Sequence, residues 1–241
     1  MLTSVIALLS AHLSTGTGIR HHVPSIRLYN AADPDLRMPV IGLGTGGYPS
    51  AKSPMASPEH WDEAAGFENT LKWFNIGGAR WDSAFLYESR GGVAAALLNV
   101  TNDWTTTKRE DIFITDKVGA FHNNMGFEDV LAQLNDTLEL FNTEYVDLLL
   151  IHWPSWNGRN SIRSTDPFCN TNQNNPEYSA SKCRQSTWRA MESAFKSGKA
   201  RAIGVSNFEQ RHLEDIFALK SEIPAVNQFE YVLSFEIFLC R

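Results

Sequence analysis

Cysteine, cationic excess and long apolar runs are all scarce in this chain, and each shortage closes off a class of protein. Three cysteines in 241 residues are too few for a disulfide scaffold, and no pair has the C-x-x-C spacing of zinc or thioredoxin-type sites. Lysine and arginine total 21 against 27 acidic residues, a formal charge of −6. Phosphate contacts need clustered cations, so nucleic-acid binding through a basic surface is excluded. No apolar run reaches the ~18–20 residues of a membrane-spanning helix. His-x-His pairs and clustered carboxylates are also missing, which sets aside a metal-dependent hydrolase built on Asp82 and His152. What is present is a 43% hydrophobic composition in a chain long enough to bury roughly 70–75% of its unfolded surface. That is the size of one α/β barrel, which runs to ~250 residues.

The two ends read apart from the rest. Residues 1–18 open with MLTSVIALLSAHL, an apolar stretch of signal-peptide length followed by Ser14, Thr15 and Gly16. The usual preceding Lys or Arg is missing, so a signal peptide and a disordered extension both stay open, the first preferred. Two N-glycosylation sequons, Asn99-Val100-Thr101 and Asn135-Asp136-Thr137, lean toward secretion. Cys169 and Cys183 flank a polar stretch and could pair in an oxidising compartment, leaving Cys240 unpaired. The expected location is the secretory pathway or outside the cell, with the cytoplasm as the alternative.

Between the ends, apolar runs alternate with helical patterns. The strand-like runs are MPVIGLG (38–44), ARWDSAF (79–85), DIFITDKV (111–118), VDLLLIH (146–152), ARAIGVS (200–206) and AVNQFEYV (225–232). Most are too continuously apolar for a sheet with one wet face, so they predict strands covered on both sides. Helical periodicity fills Glu59–Trp73, Glu88–Leu98, Phe127–Leu140, Thr187–Lys196 and Glu209–Leu219. Ser57-Pro58 supplies a helix start, Ser as the cap and Pro in the first turn. Strict β-then-α alternation calls for a parallel sheet with right-handed crossovers and six βα-type strands. Trp156 to Gln185 breaks the rhythm: it is rich in Asn and Ser and has no apolar periodicity. Following the fourth strand, it would lie on the face of a barrel where active sites sit, as a substrate loop or a tolerated insertion.

Gly42-Leu43-Gly44-Thr45-Gly46-Gly47 formally satisfies G-x-G-x-x-G. In a dinucleotide-binding βαβ unit the third glycine opens a helix. Here Pro49, Pro54 and Pro58 follow and prevent one.

Polar residues at predicted strand ends carry the chemistry. Asp82 ends the second strand with Tyr87 in the next loop, Lys117 ends the third and His152 the fourth. Each alone reads more readily as a helix cap, packed aromatic, snorkelling cation or core histidine; their joint placement reverses that preference in favour of one site. A phenol with a pKa near ~10 is a poor acid at neutral pH until its phenolate is stabilised, and a nearby ammonium does that. Asp82 would hold Lys117, and neutral His152 would donate to a substrate oxygen. The set suits protonation of the oxyanion formed when hydride adds to a carbonyl, the hydride coming from a cofactor.

Several motifs, separated and in order, resemble the aldo-keto reductase family: MPVIGLGTGGY its first barrel strand, GARWDSAFLYES its Asp-to-Tyr catalytic segment, DIFITDKV the lysine strand, VDLLLIHWP the histidine strand. GKARAIGVSNFEQRHLEDI and IPAVNQFEY are similar to its nicotinamide-contacting strands. The resemblance covers residues 25–231 and implies a TIM-type (β/α) barrel that uses NADPH, or alternatively NADH, to reduce aldehydes or ketones. It implies Asp82, Tyr87, Lys117 and His152 as catalytic tetrad. Ser206, Asn207 and Gln228 would hold the nicotinamide carboxamide, and Gly44, Thr45 and Asp82 would line the cofactor cleft. The tail 232–241 departs from the family pattern, and segments matching a seventh and eighth strand are not in the sequence. Six of eight βα units leave an incomplete barrel, so the expectation is a truncated product with two open edges, an exposed interior and Tyr87 and Lys117 wet. A catalytically inactive relative acting through subunit interactions is the competing expectation.

Overall fold

The computed structural model describes residues 23–46, 62–102, 107–119, 125–154, 164–171 and 175–230. The leader-like segment 1–18, the Ser57-Pro58 helix start, the tail 232–241 and Cys240 lie outside the described residues.

The body is a six-stranded parallel sheet whose strands stand in chain order: β3 (Leu43–Gly44), β4 (Arg80–Asp82), β5 (Phe113–Val118), β6 (Leu148–Ile151), β7 (Ile203–Ser206) and β8 (Asn227–Gln228). Helices α1 (Glu63–Asn75), α2 (Arg90–Thr101), α3 (Phe127–Leu140), α4 (Ala180–Lys196) and α5 (Gln210–Phe217) alternate with them. This is the curved parallel sheet of an incomplete TIM-type barrel.

Strand β5 shows why both faces are apolar: all six of its residues are buried. Period-two alternation sends Ile114 and Val118 outward under the helices with Leu149 and Ile151 of β6. Phe113, Leu148 and Leu150 point inward. The interior is plugged at the strands' N-terminal ends by an antiparallel hairpin, β1 (Ser25–Arg27) and β2 (Arg37–Pro39), whose Leu28, Leu36 and Met38 join that inner cluster. The hairpin's turn is tied to the entry of β7 by the Ala32 amide donating to the Arg201 carbonyl at 2.9 Å.

Three expectations need correction. MPVIGLG is not one strand: Met38 and Pro39 pair with the hairpin, and only Leu43–Gly44 joins the parallel sheet. Helix α4 starts at Ala180, seven residues before Thr187, capped by the Ser179 hydroxyl accepting from the Lys182 amide. The stretch 156–185 is therefore not structureless throughout. Within it Cys169 and Cys183 are bonded, and the Ser164 hydroxyl lies 2.7 Å from both the Met125 carbonyl and the Asp129 carboxylate at the start of α3, its one proton shared between them. Finally, the lower interior is not exposed: the hairpin buries Phe113, Leu148 and Leu150. Beside the two sheet edges, Val40 and Ile41 next to β3 and Ile223 and Phe229 next to β8 are exposed.

Candidate active site

The C-terminal ends of β4 to β8 converge on one polar cluster. Lys117, second from last on β5, is only 2% exposed; the expected wet ammonium is in fact enclosed. Its Nζ donates to Asp82 Oδ1 at the end of β4, to the Ser83 carbonyl at 3.0 Å and to the Tyr87 hydroxyl at 3.3 Å. Burial works against the ammonium's charge, but the Asp82 carboxylate and the Tyr87 hydroxyl outweigh it and hold the pKa above its ordinary value.

Asp82 is fixed from three directions. Its backbone carbonyl accepts from the Thr45 amide at 2.9 Å and the Thr45 hydroxyl at 3.0 Å. One carboxylate oxygen takes Lys117, and the other accepts from Gln228 Nε2 at 2.7 Å. Thr45 is in turn gripped by the Ser89 hydroxyl at the start of α2. Tyr87 lies in the turn between β4 and α2, its amide donating to the Ala84 carbonyl. Gly46 lets its ring approach: a Cβ there would sit 2.6 Å from the ring carbon bearing the hydroxyl.

His152 follows β6, with its amide on the Val118 carbonyl at 2.8 Å. Its ring packs edge-on against Tyr87, centroids 5.5 Å apart. Burial first, and the Lys117 charge second, push its pKa down to about 3, so the imidazole is neutral near pH 7. Its Nδ1 is buried and has no hydrogen-bond partner among the described residues.

Ser206 ends β7, and Asn207 follows in the left-handed region at φ 60°. Asn207 Nδ2 donates to the His152 carbonyl and to the Ser206 hydroxyl, both at 3.0 Å. The Asn207 amide donates to the Gln228 carbonyl, joining β7 to β8. Asp82, Tyr87, Lys117, His152, Ser206, Asn207 and Gln228 thus share one strand-end cluster. Gly44 is exposed beside it on β3, with open space where a side chain would stand. Thr45 is buried, and its polar groups are committed to Asp82 rather than to the open cleft.

Sequence reasoning missed the support beneath Lys117. Asp116 points to the opposite face of β5, is fully buried, and accepts from the Thr137 hydroxyl of α3 at 2.8 Å. Burial, only partly offset by Thr137, Arg90 and Lys117, pushes its carboxyl up to about 6. An Asp beside Lys in an otherwise apolar strand was the available signal, because adjacent strand residues face opposite ways.

Residues 40–237 match the model of the aldo/keto reductase family. Glyoxal reductase of Bacillus subtilis (strain 168) is 30% identical over 207 residues, covering 86% of this chain and 58% of that protein. D-galacturonate reductase of Fragaria ananassa is 32% identical over 208 residues, covering 86% of this chain and 59% of the relative. The chain thus spans under two thirds of the length of these curated relatives. Among solved structures, the aldose reductase of Schistosoma japonicum superimposes with a TM-score of 0.62 at 28% identity, covering 86% of this chain and 61% of that one. An aldo-keto reductase of Bombyx mori, solved in complex with NADP, shares the fold with a TM-score of 0.61 at 23% identity, covering 87% of this chain and 58% of that one. This chain belongs to the aldo/keto reductase family.

Proposed function

We propose that the cluster reduces an aldehyde or ketone to its alcohol, with NADPH as cofactor and Tyr87 as the general acid. The carrying observation is the Tyr87 hydroxyl, 3.3 Å from a buried ammonium that is itself paired with Asp82. Bound dihydronicotinamide would supply a hydride to the carbonyl carbon. The residues' part is proton supply and charge stabilisation. Tyr87 gives its proton to the carbonyl oxygen as that oxygen becomes negative, and Lys117 stabilises the phenolate left behind. Asp82 keeps Lys117 charged and directed at the phenol. His152, neutral because its pKa lies at about 3, can donate one hydrogen bond to the same oxygen without competing as an acid.

The strand ends fit a nicotinamide carboxamide. Ser206, Asn207 and Gln228 gather an alcohol and two amides at the ends of β7 and β8, a set able both to donate to and accept from a carboxamide. Asn207 is prefixed by its own bonds to Ser206 and to the His152 carbonyl. Gln228 donates to Asp82 instead, so engaging the carboxamide requires its Nε2 to be shared or released. NADH is the alternative donor. Relatives named for reducing glyoxal and D-galacturonate support a small carbonyl compound as substrate.

The test is carbonyl-dependent loss of NADPH absorbance by the chain and by its Tyr87→Phe variant. Removing the acid should lower the rate by about 10²–10⁴-fold, with NADPH binding, followed by fluorescence, unchanged within a few fold. A variant retaining more than about a tenth of the rate would contradict the acid role. Binding of NADPH without turnover by the unaltered chain would favour the inactive relative.

A further inference from the structure

We propose that Asn99, and not Asn135, is the acceptor for an N-linked oligosaccharide. Two unrelated observations lead there. The first is the bond between Cys169 and Cys183, whose residues are only 1% and 7% exposed. Disulfides form and persist in oxidising compartments, and N-glycan transfer to Asn-x-Ser/Thr acts on secreted chains.

The second is the contrast between the two sequons. Asn99-Val100-Thr101 forms the last residues of α2. The buried face of that helix is Val93, Ala94, Ala96 and Leu97, while Leu98 and Asn99 face outward. A sugar on Asn99 would leave the outer surface of the barrel wall without displacing a core contact. Thr101, whose hydroxyl the transferase must read, lies in the last turn, its hydroxyl donating to the Leu97 carbonyl at 2.8 Å.

Asn135-Asp136-Thr137 lies in the body of α3. Asn135 Oδ1 accepts from Lys199 Nζ at 2.7 Å, and Thr137 is fully buried with its hydroxyl on Asp116. Asp136 is paired with Arg90 at 2.6 Å. Every residue of this sequon already bonds to a residue outside α3, and in the folded chain its hydroxyl is closed to a transferase.

In the transfer, Asn99 Nδ2 attacks the anomeric carbon of a lipid-pyrophosphate-linked oligosaccharide. The bond from that carbon to the pyrophosphate oxygen breaks, one amide proton passes to a base, and the lipid pyrophosphate leaves. No atom changes its oxidation state.

The experiment secretes the full chain from a eukaryotic cell behind a cleavable leader, so that compartment is not a variable. Glycans are then removed enzymatically in heavy-oxygen water and peptides are weighed. The expected result is labelled Asp at position 99 and unlabelled Asn135. Asn99→Gln should remove the whole glycan mass shift, and Asn135→Gln should leave it intact. Both substitutions alter exposed side chains, so folding is preserved. An unmodified Asn99, or equal occupancy at Asn135, overturns the proposal.

Discussion

Gln228 donates to the Asp82 carboxylate at 2.7 Å although 146 residues separate them. Three strands stand between β4 and β8 in the sheet, so the contact exists only because the sheet curls enough to bring its flanks together over the mouth. Asp82 thereby has one oxygen for Lys117 and one for Gln228, and rotation of its carboxylate is opposed from both sides.

That arrangement predicts a specific response to Gln228→Glu. Two carboxylates at hydrogen-bond distance cannot both ionise cheaply, so the pair holds a proton and one folded-state pKa rises above its unfolded value near ~4.3. The raised group contributes stability at low pH that is lost as pH climbs through the folded value. The melting temperature of Gln228→Glu should therefore fall relative to the unaltered protein between about pH 4 and pH 7. Gln228→Met, which cannot ionise, should show no such slope. Parallel melting curves for the two variants across that range would remove Gln228 from the Asp82 contact.

Asp116 should behave as a buried liability at neutral pH. Its carboxyl rises from 3.8 to about 6, chiefly through burial. The folded state thus binds the proton more tightly, and stability is lost as pH rises through that window. Two pKa units correspond to about 3 kcal/mol once the group is ionised in both states. Asp116→Asn, which can still accept from Thr137, should raise the melting temperature by several degrees at pH 8, with the gain vanishing near pH 4. Denaturant titrations at both values would check it; an Asn variant less stable at pH 8 would show that the charge supports Arg90 more than burial penalises it.

His152 predicts the opposite slope. Its pKa falls from 6.5 to about 3, by burial and then by the Lys117 charge. Unfolding releases a histidine that takes a proton below pH ~6.5. Stability is therefore present above that value and is lost as pH drops toward 3, by roughly 4–5 kcal/mol at the limit. Imidazole resonances followed by NMR should show His152 untitrated at pH 5, where exposed histidines are charged. A His152 resonance titrating near 6.5 would contradict the enclosed site.

The legible parts of this fold are those where burial is apolar and periodic. Helix Phe127–Leu140 runs as its periodicity predicts, and FITDKV and LLLI are strands because both faces are covered. The polar strand ends Asp82, Lys117 and His152 were legible because they interrupt those apolar runs. The hairpin was not: Ser25–Arg27 and Arg37–Pro39 are short and mixed, and their pairing depends on the plugged interior rather than on local pattern. The first turns of α4 were hidden for a different reason. They bury Cys183, Arg184 and Thr187, and Arg184 is tolerated there through Asp215, which it meets at 2.6 and 2.8 Å. A helix buried by a disulfide and an ion pair has no hydrophobic period to read.

The bond between Cys169 and Cys183 yields the last prediction. It closes a separation of 14 residues, and in the chain-entropy model a loop of that size restricts the unfolded state by about 3 kcal/mol. The folded state also uses the bond directly, because Cys183 opens the turn of α4 that carries Arg184. The Arg184 guanidinium reaches both Asp215 of α5 and the Pro154 carbonyl, two residues beyond His152. Replacing both cysteines with serine should therefore lower the denaturant midpoint, and it should also speed amide exchange in the first turns of α4 before global unfolding. Loss of midpoint alone would assign the bond to the unfolded state. A double variant with an unchanged midpoint would show that the Ser164 and Arg184 contacts already hold the segment without it.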